Sequence, residues 1–354
     1  MTIRVDEMKI AVHVGMHKTG STAIQNFLWR SDLDGLGYMP WTGPNHCGLF
    51  ILLFQEESRL AEYHGFRALG DSFVKNLPAM RDEWMHKTDA YLRSFKGDTV
   101  VFSAEDISWP GFKDAAMNMV SFFKTYSDDV SGFGYVRESR SFCRSAYQQY
   151  LQGADVHRLN FDHLWPNYRG RFEHLDEAFG GGKLELRIFD RHSLHNEDVV
   201  QDFLSQLGYN TSHFGGEEDN KSLSAEATAL LYVQREFGDG FGARGVGAFA
   251  RNKTLIDALS KIGRGKFDFD DEVWKRVEEK YQLDIKWISE RLGVNFPEGM
   301  LLGARKIKSE DDLVTIALES VVELKNAIAS KALTHDAQDG QNAVQLINAL
   351  RALS

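Results

Sequence analysis

The sequence predicts an α/β fold: a P-loop-type parallel sheet flanked by helices, with a mostly helical C-terminal region. Three observations carry this. Short apolar runs alternate with segments of helical period through the first two-thirds of the chain. The first run closes on a glycine turn that opens a helix, Gly15-Met16-His17-Lys18-Thr19-Gly20-Ser21-Thr22. Strand signals stop after about Gly208. Strands separated by helices imply a parallel sheet covered on both faces.

In chain order, Met8 to Val14 reads as a short buried strand, and Gly20 to Arg30 as the helix it feeds. Leu33 to Pro44 holds Gly35, Gly37, Pro40, Gly43 and Pro44 and reads as turn. Leu49 to Leu69 and Ala79 to Phe95 read as helices, and Thr99 to Ser103 as a second buried strand. Lys113 to Tyr126 has Ala116, Met119, Val120 and Phe123 at helical spacing. Gly132 to Val136 is a third strand followed by a helix from Ser139 to Gln152; Leu184 to Phe189 is a fourth, with its helix at Asp198 to Leu207. Beyond these, Ser224 to Phe237, Asp270 to Leu292, Leu313 to Ser330 and Val344 to Leu353 read as helices, and Gly238 to Gly247 as a glycine-rich loop. We expect a nucleotide-binding core over 1–220 and a helical region over 221–354 that packs on the body or pairs two subunits.

Bulk properties narrow the function. The 354 residues are 43% hydrophobic and 26% charged, ordinary values for a globular protein. A net charge of -10 argues against a general nucleic-acid binder, which needs an excess of phosphate-neutralising Lys and Arg. Cys47 and Cys143 stand far apart, in no metal-ligand spacing, and read as free thiols of a reducing compartment. No run is long and apolar enough to span a bilayer, and the N-terminus lacks the pattern of a signal peptide. The expectation is a cytoplasmic location.

The glycine turn is an anion cradle: backbone N–H groups at a helix N-terminus, a cation, and small hydroxyl residues. Its lysine is displaced from the nucleotide-kinase consensus G-x-x-x-x-G-K-[ST]. Gly15 and Gly20 fit, but Ser21 stands in the lysine position, and Lys18 lies two residues before the second glycine.

His17-Lys18-Thr19-Gly20-Ser21-Thr22 resembles the 5′-phosphosulfate loop of sulfotransferases that use 3′-phosphoadenylyl sulfate (PAPS). The longer string through Ala23-Ile24-Gln25 is similar to the bacterial, carbohydrate-type branch. The resemblance implies that Lys18 faces the bridging oxygen of the donor, while His17, Thr19, Gly20, Ser21 and Thr22 line its phosphosulfate. Tyr135-Val136-Arg137 is a strand ending in arginine, with Ser145 eight positions on in the following helix. An arginine fork suits a phosphate, and this arrangement resembles the 3′-phosphate element of the family, with Arg137 and Ser145 as ligands. Arg140 and Arg144 read as a solvated helix face. Asn220-Lys221-Ser222-Leu223-Ser224 is also similar to bacterial members, and Ser224 reads as a helix cap. Leu186 to Arg191 and Asp198 to Leu204 share the resemblance and read as structural.

Moving sulfate to a hydroxyl requires removal of the hydroxyl proton. Two residues qualify as base. His46, in Gly43-Pro44-Asn45-His46, has the imidazole chemistry, with an ordinary pKa near ~6.5. Glu105, in Ser103-Ala104-Glu105-Asp106, follows a strand end, and its S-x-E element also resembles the family; it suits a base, a residue that positions the acceptor, or one that holds Lys18 or Arg137 in place. Asp155 to Phe172, with His157, Arg158, Trp165, Tyr168, Arg169 and Arg171, mixes aromatic and basic residues in an irregular stretch that suits a sugar or equally a plain surface loop.

The sequence thus leads to a PAPS-dependent sulfotransferase acting on an acceptor hydroxyl, of a carbohydrate by the resemblance, with no metal required. Two other readings stay open. One is a P-loop kinase, with Val100 to Asp106 as an apolar strand ending in a magnesium-holding acid; the lysine missing before Ser21 speaks against it. The other is a nucleotide-binding protein without catalysis.

Overall fold

The computed structural model describes residues 8–153, 158–210, 222–238, 248–297 and 299–332. The chain divides into two compact units, neither of them continuous. The first takes Met1–Glu138, Asn167–Glu218 and Leu283–Phe296; the second takes Ser139–Pro166, Asp219–Gln282 and Pro297–Ser354.

The first unit is built on a five-stranded, wholly parallel sheet. Its strands are β1 (Lys9–His13), β2 (Leu36–Tyr38), β3 (Thr99–Ser103), β4 (Asp129–Val136) and β5 (Leu184–Ile188), in the order β2-β3-β1-β4-β5. Register runs Lys9 to Thr99 and Asp129, and ends with His13 opposite Ser103 and Phe133. Ile10, Val12, Val100, Val101 and Phe102 are fully buried, as expected for strands covered on both faces. On one face Ala11, Val101 and Tyr135 pack with Ile24 and Leu28 of the helix Ser21–Arg30 and with Val200, Phe203 and Leu204 of the helix Val199–Gln206. On the other, Phe102 stacks on Phe123 at 4.7 Å and meets Phe50 at 5.6 Å. Those rings come from the helices Lys113–Phe123 and Cys47–Phe54. Alternate side chains of one strand serve the two layers.

A buried polar knot ties β4 to the helix Val199–Gln206. Tyr135 Oη donates to Asp202 at 2.6 Å and Gln206 Nε2 donates to Tyr135 Oη at 2.9 Å, while Asp198 caps the helix by accepting the Gln201 N–H at 2.8 Å. The segments 186–191 and 198–204 therefore do structural work, as the sequence suggested.

Several boundaries differ from expectation. The stretch 49–69 is broken into Cys47–Phe54, a 3-10 turn at Glu57–Glu62 and His64–Arg67, because Gln55 and Glu56 adopt extended ψ values. The glycine-rich stretch 33–44 holds the edge strand β2, three residues long and too short to show a period. The span 313–330 is two helices, Glu310–Glu319 and Val321–Ala332, parted at Ser320.

The second unit holds the helices Ser139–Gly153, Ala225–Phe237, Ala248–Leu259, Glu310–Glu319 and Val321–Ala332. It also holds a parallel strand pair that the sequence did not announce, β6 (Phe267–Phe269) with β7 (Arg305–Ile307). Ser224 caps its helix as expected, accepting the Ala227 N–H at 2.9 Å. Arg140 and Arg144 are not solvated: both are buried on fully buried Asp268, with Arg140 Nε at 2.9 Å and Arg144 Nη1 at 2.8 Å from Oδ1. Lys306 joins them at 3.3 Å. Unpaired, that carboxylate would be prohibitively costly to bury, and the two arginines supply the charge it needs. The loop at 239–247, Lys221 and the helix expected at 344–353 lie outside the described residues. Among the described residues no helix is long and apolar enough to cross a membrane.

Candidate active site

Because β1, β3 and β4 are parallel neighbours, their carboxyl ends open on one edge of the sheet, where ligands bind in folds of this type. The β1 loop is pinned from two sides. Thr19 Oγ1 donates to the Met16 carbonyl at 2.5 Å, and the Arg137 N–H donates to Met16 Sδ at 3.4 Å. Arg137 Nη1 then donates to the Lys18 carbonyl at 2.9 Å. Tyr168 Oη holds the Arg137 carbonyl at 2.7 Å.

The turn demands two left-handed residues, Lys18 at φ 65° and Gly20 at φ 79°. A lysine in that region is strained by roughly 1–3 kcal/mol, so the surrounding bonds impose the conformation. Gly20 sits at the N-cap of the helix Ser21–Arg30 and contributes no side chain to the cap. A Cβ there would lie 2.7 Å from Val199 Cγ1, so close packing as well as φ selects glycine. The first amides of this helix consequently face outward without side-chain caps, with the positive end of the helix dipole behind them.

Lys18 is half-buried. Burial lowers its pKa from the ordinary value, and the neighbouring Arg137 cation lowers it further. Among the described residues its ammonium has no carboxylate partner. The Ser21 hydroxyl is buried and makes no hydrogen bond, whereas Thr22 is exposed. Two adjacent cations, an orphan hydroxyl and free helix amides make a site that favours an anion.

His17 Nε2 donates to Asp106 Oδ1 at 2.7 Å, and Tyr63 Oη donates to Asp106 Oδ2 at 2.6 Å. Burial raises the Asp106 pKa, but the bonds from His17 and Tyr63 outweigh it and hold the carboxyl at about 2. Beside the imidazole stands Trp109, 40% exposed, with ring centroids 5.9 Å apart. The buried Arg171 guanidinium lies 4.2 Å from the other end of that contact, over the Trp109 ring.

Glu105 is also buried at this edge. Its carboxylate accepts from Gln25 Nε2 at 2.6 Å, Asn45 Nδ2 at 3.2 Å and the Cys47 thiol at 3.5 Å. It therefore links the loop helix to the segment before Cys47. His46 is 0% exposed. Its Nδ1 accepts the Ser103 N–H at 3.2 Å and its Nε2 donates to the Met39 carbonyl at 2.9 Å. Burial lowers its pKa to about 3 against the Met39 bond that raises it. As placed, the ring has no lone pair open to an acceptor hydroxyl, and it serves to join β3 to the turn before it.

The sequence-derived residues thus fall into three groups. Lys18, Thr19, Gly20, Ser21, Arg137, His17 and Glu105 converge on one edge of the first unit. Ser145 is half-buried on the helix Ser139–Gly153 of the second unit, and Lys221 lies outside the described residues. In the stretch 155–172, Trp165 is buried and stacked on Tyr281 at 4.2 Å, and Tyr168 and Arg171 lie on the helix Tyr168–Phe179, so these three are packed rather than loop residues. His157 lies outside the described residues. Sequence reasoning missed Asp106 as the partner of His17, and Tyr63 as the second donor to Asp106. Asp106, the acid a kinase would use for magnesium, is committed to those two bonds. Both cysteines are free and buried, as expected.

No family model matches the chain, and no curated protein matches it. Among solved structures it is similar to a sulfotransferase from Alicyclobacillus acidocaldarius, with a TM-score of 0.45 and 12% sequence identity, over 81% of this chain and 96% of that one.

Proposed function

We propose that the chain is a PAPS-dependent sulfotransferase that moves the sulfuryl group to an acceptor hydroxyl, of a carbohydrate by resemblance of its loop. The observation that carries the reading is Lys18: a left-handed, half-buried lysine beside Arg137, without an acid partner among the described residues, at the mouth of an uncapped helix. Such a group stabilises negative charge that develops on a leaving phosphate oxygen.

In this reading the amides and hydroxyls of Gly20, Ser21 and Thr22 hold the phosphosulfate, with Thr19 locking the turn. Lys18 meets the bridging oxygen, where charge grows as the S–O bond breaks. Arg137 takes the 3′-phosphate. Glu105 fixes the acceptor edge through Gln25 and Asn45, and His46 supports it from beneath. The transferred group needs no metal in this scheme, since Lys18 and the amides supply the positive field. A cytoplasmic location would match a cytosolic donor, and the region from 221 would serve acceptor binding or subunit pairing.

The test is a thermal-shift comparison of adenosine 3′,5′-bisphosphate with ATP and AMP, since a ligand bound only by the folded chain raises its melting point. Stabilisation by the bisphosphate well above that by ATP supports the reading. Equal or smaller stabilisation refutes it and favours a kinase.

A further inference from the structure

Three imidazoles and two carboxylates crowd the carboxyl edge of the sheet, and their lone pairs are not equally free. The His46 lone pair accepts the Ser103 amide, and the Glu105 oxygens accept from three donors. His13 shares a 2.8 Å bond with Ser103 through Nδ1, and its unpartnered Nε2 lies sealed beneath Gly15, 3.1 Å from where a Cβ would stand. His17 differs. The Asp106 carboxylate accepts only, so the proton of the neutral ring sits on Nε2 and the lone pair on Nδ1. That Nδ1 makes no hydrogen bond and is shielded from water, although the side chain as a whole is a quarter exposed. A buried acceptor left unsatisfied is costly, and such a cost is tolerated where a ligand satisfies it.

We infer that His17 is the general base of the transfer, oriented by Asp106, which Tyr63 holds in turn; this rests on the sulfotransferase reading above. The acceptor hydroxyl oxygen bonds to sulfur as the bond from sulfur to the bridging phosphate oxygen breaks. The electron pair of that bond leaves on adenosine 3′,5′-bisphosphate beside Lys18. The hydroxyl proton passes to His17 Nδ1, and the imidazolium formed faces the ionised Asp106. His17 and Lys18 are adjacent in one loop, so the two ends of the transfer are positioned by a single turn. The charged and titratable groups around the imidazole are Asp106, with Tyr63 and His64 behind it, Lys18 in its own loop, Glu105 beside Asp106, and Arg171 beneath Trp109. Asp106 and Tyr63 are positioning residues, since they act through His17.

The experiment combines three readouts on the full chain. Calorimetric titration with adenosine 3′,5′-bisphosphate compares the unmodified protein with His17→Gln and Arg137→Ala. Release of labelled sulfate from PAPS, with water as acceptor, gives turnover against pH for the unmodified protein, His17→Gln and Asp106→Asn. Nitrogen-edited NMR of the histidine rings, with His17 assigned from the His17→Gln spectrum, gives the position of its proton independently of turnover and of any folding defect in Asp106→Asn. Expected are bisphosphate binding by His17→Gln within about threefold of the unmodified chain, turnover lower by about 100-fold or more, and loss of the acid limb of the profile. Asp106→Asn should shift that limb, and the neutral His17 ring should carry its proton on Nε2. The base assignment alone fails if His17→Gln weakens bisphosphate binding as Arg137→Ala does, if its turnover stays within about threefold, or if the ring proton sits on Nδ1. An unmodified chain that binds no bisphosphate sinks the donor reading, and the inference with it.

Discussion

Replacing Gly20 with alanine tests the loop where its conformation and its packing coincide. The residue has φ 79°, and a Cβ would stand 2.7 Å from Val199 Cγ1 and 3.3 Å from both Val199 Cβ and Cγ2. The left-handed backbone alone costs a non-glycine residue roughly 1–2 kcal/mol. The clash adds about 1–3 kcal/mol, the range for an overpacked methyl. Val199 cannot turn away, because it is β-branched in the first turn of its helix and rotation would only bring round its other methyl. The sum is about 2–5 kcal/mol. Gly293 supplies the control: φ is 70°, and a Cβ there meets nothing within 4 Å, so Gly293→Ala isolates the backbone cost. Urea denaturation of Gly20→Ala, Gly293→Ala, Val199→Ala and the double variant Gly20→Ala/Val199→Ala closes the cycle. Gly20→Ala should be the more destabilising glycine variant by about 1–3 kcal/mol, and Val199→Ala should relieve much of that difference as a coupling energy. Equal costs for the two glycines, with additive behaviour in the cycle, would show that Val199 does not constrain the turn.

Further outcomes follow from the same geometry. On the proposed transfer, in which the Lys18 contact strengthens as the bond breaks, Lys18→Ala should lower turnover far more than it weakens bisphosphate binding; parallel losses in both would show ordinary ground-state binding. Arg137→Ala should weaken bisphosphate binding strongly and erase the preference over adenosine 5′-phosphate, measured by calorimetry; an intact preference removes it as the 3′-phosphate ligand. Acid should destabilise the chain before any carboxylate titrates. His13 and His46 take protons near ~6.5 when unfolded but only at about 4 and about 3 when folded, both through burial. The unfolded chain therefore gains protons first, and stability present above ~6.5 is lost as pH falls towards the folded values, at about 2.7 kcal/mol per pH unit for two protons. Urea midpoints at two pH values within that window test this, and a flat profile refutes it. Asp268→Asn should cost about 3–5 kcal/mol by leaving Arg140 and Arg144 buried without their shared counter-charge, read as a fall in melting temperature; an unchanged melting point would mean the cluster is dispensable.

The legible part of the fold was the part with a period. β1 and β3 hold unbroken apolar runs, β5 alternates apolar with charged residues, and β4 ends on Phe133 to Val136, so the sequence placed each within a few residues. β2, β6 and β7 escaped because three residues contain no period, and their pairing depends on partners far along the chain, Leu36 with Thr99 and Phe267 with Arg305. At the site, Lys18 and Arg137 were legible because a glycine turn and a strand-end arginine are local signals. The bond between them was not, and neither was the commitment of Asp106. Arg140 and Arg144 looked solvated for the same reason: the acid that buries them, Asp268, lies more than a hundred residues away. His46 presented the right chemistry at the right distance from the loop, but whether an imidazole keeps a lone pair depends on which amide points at it, and Ser103 supplied that amide.

The position of β1 in the sheet has a consequence for how this protein can change. The strand that carries the loop is flanked by β3 and β4, the two that carry its companions, while β2 and β5 form the rims. Lengthening a rim connection, or grafting new chain onto it, leaves the central three strands and their mutual alignment untouched. Loop insertions at exposed rims are well tolerated in general. Descendants of this scaffold can therefore be reshaped at its margins while the loop at its midline and the two strands beside it keep their places.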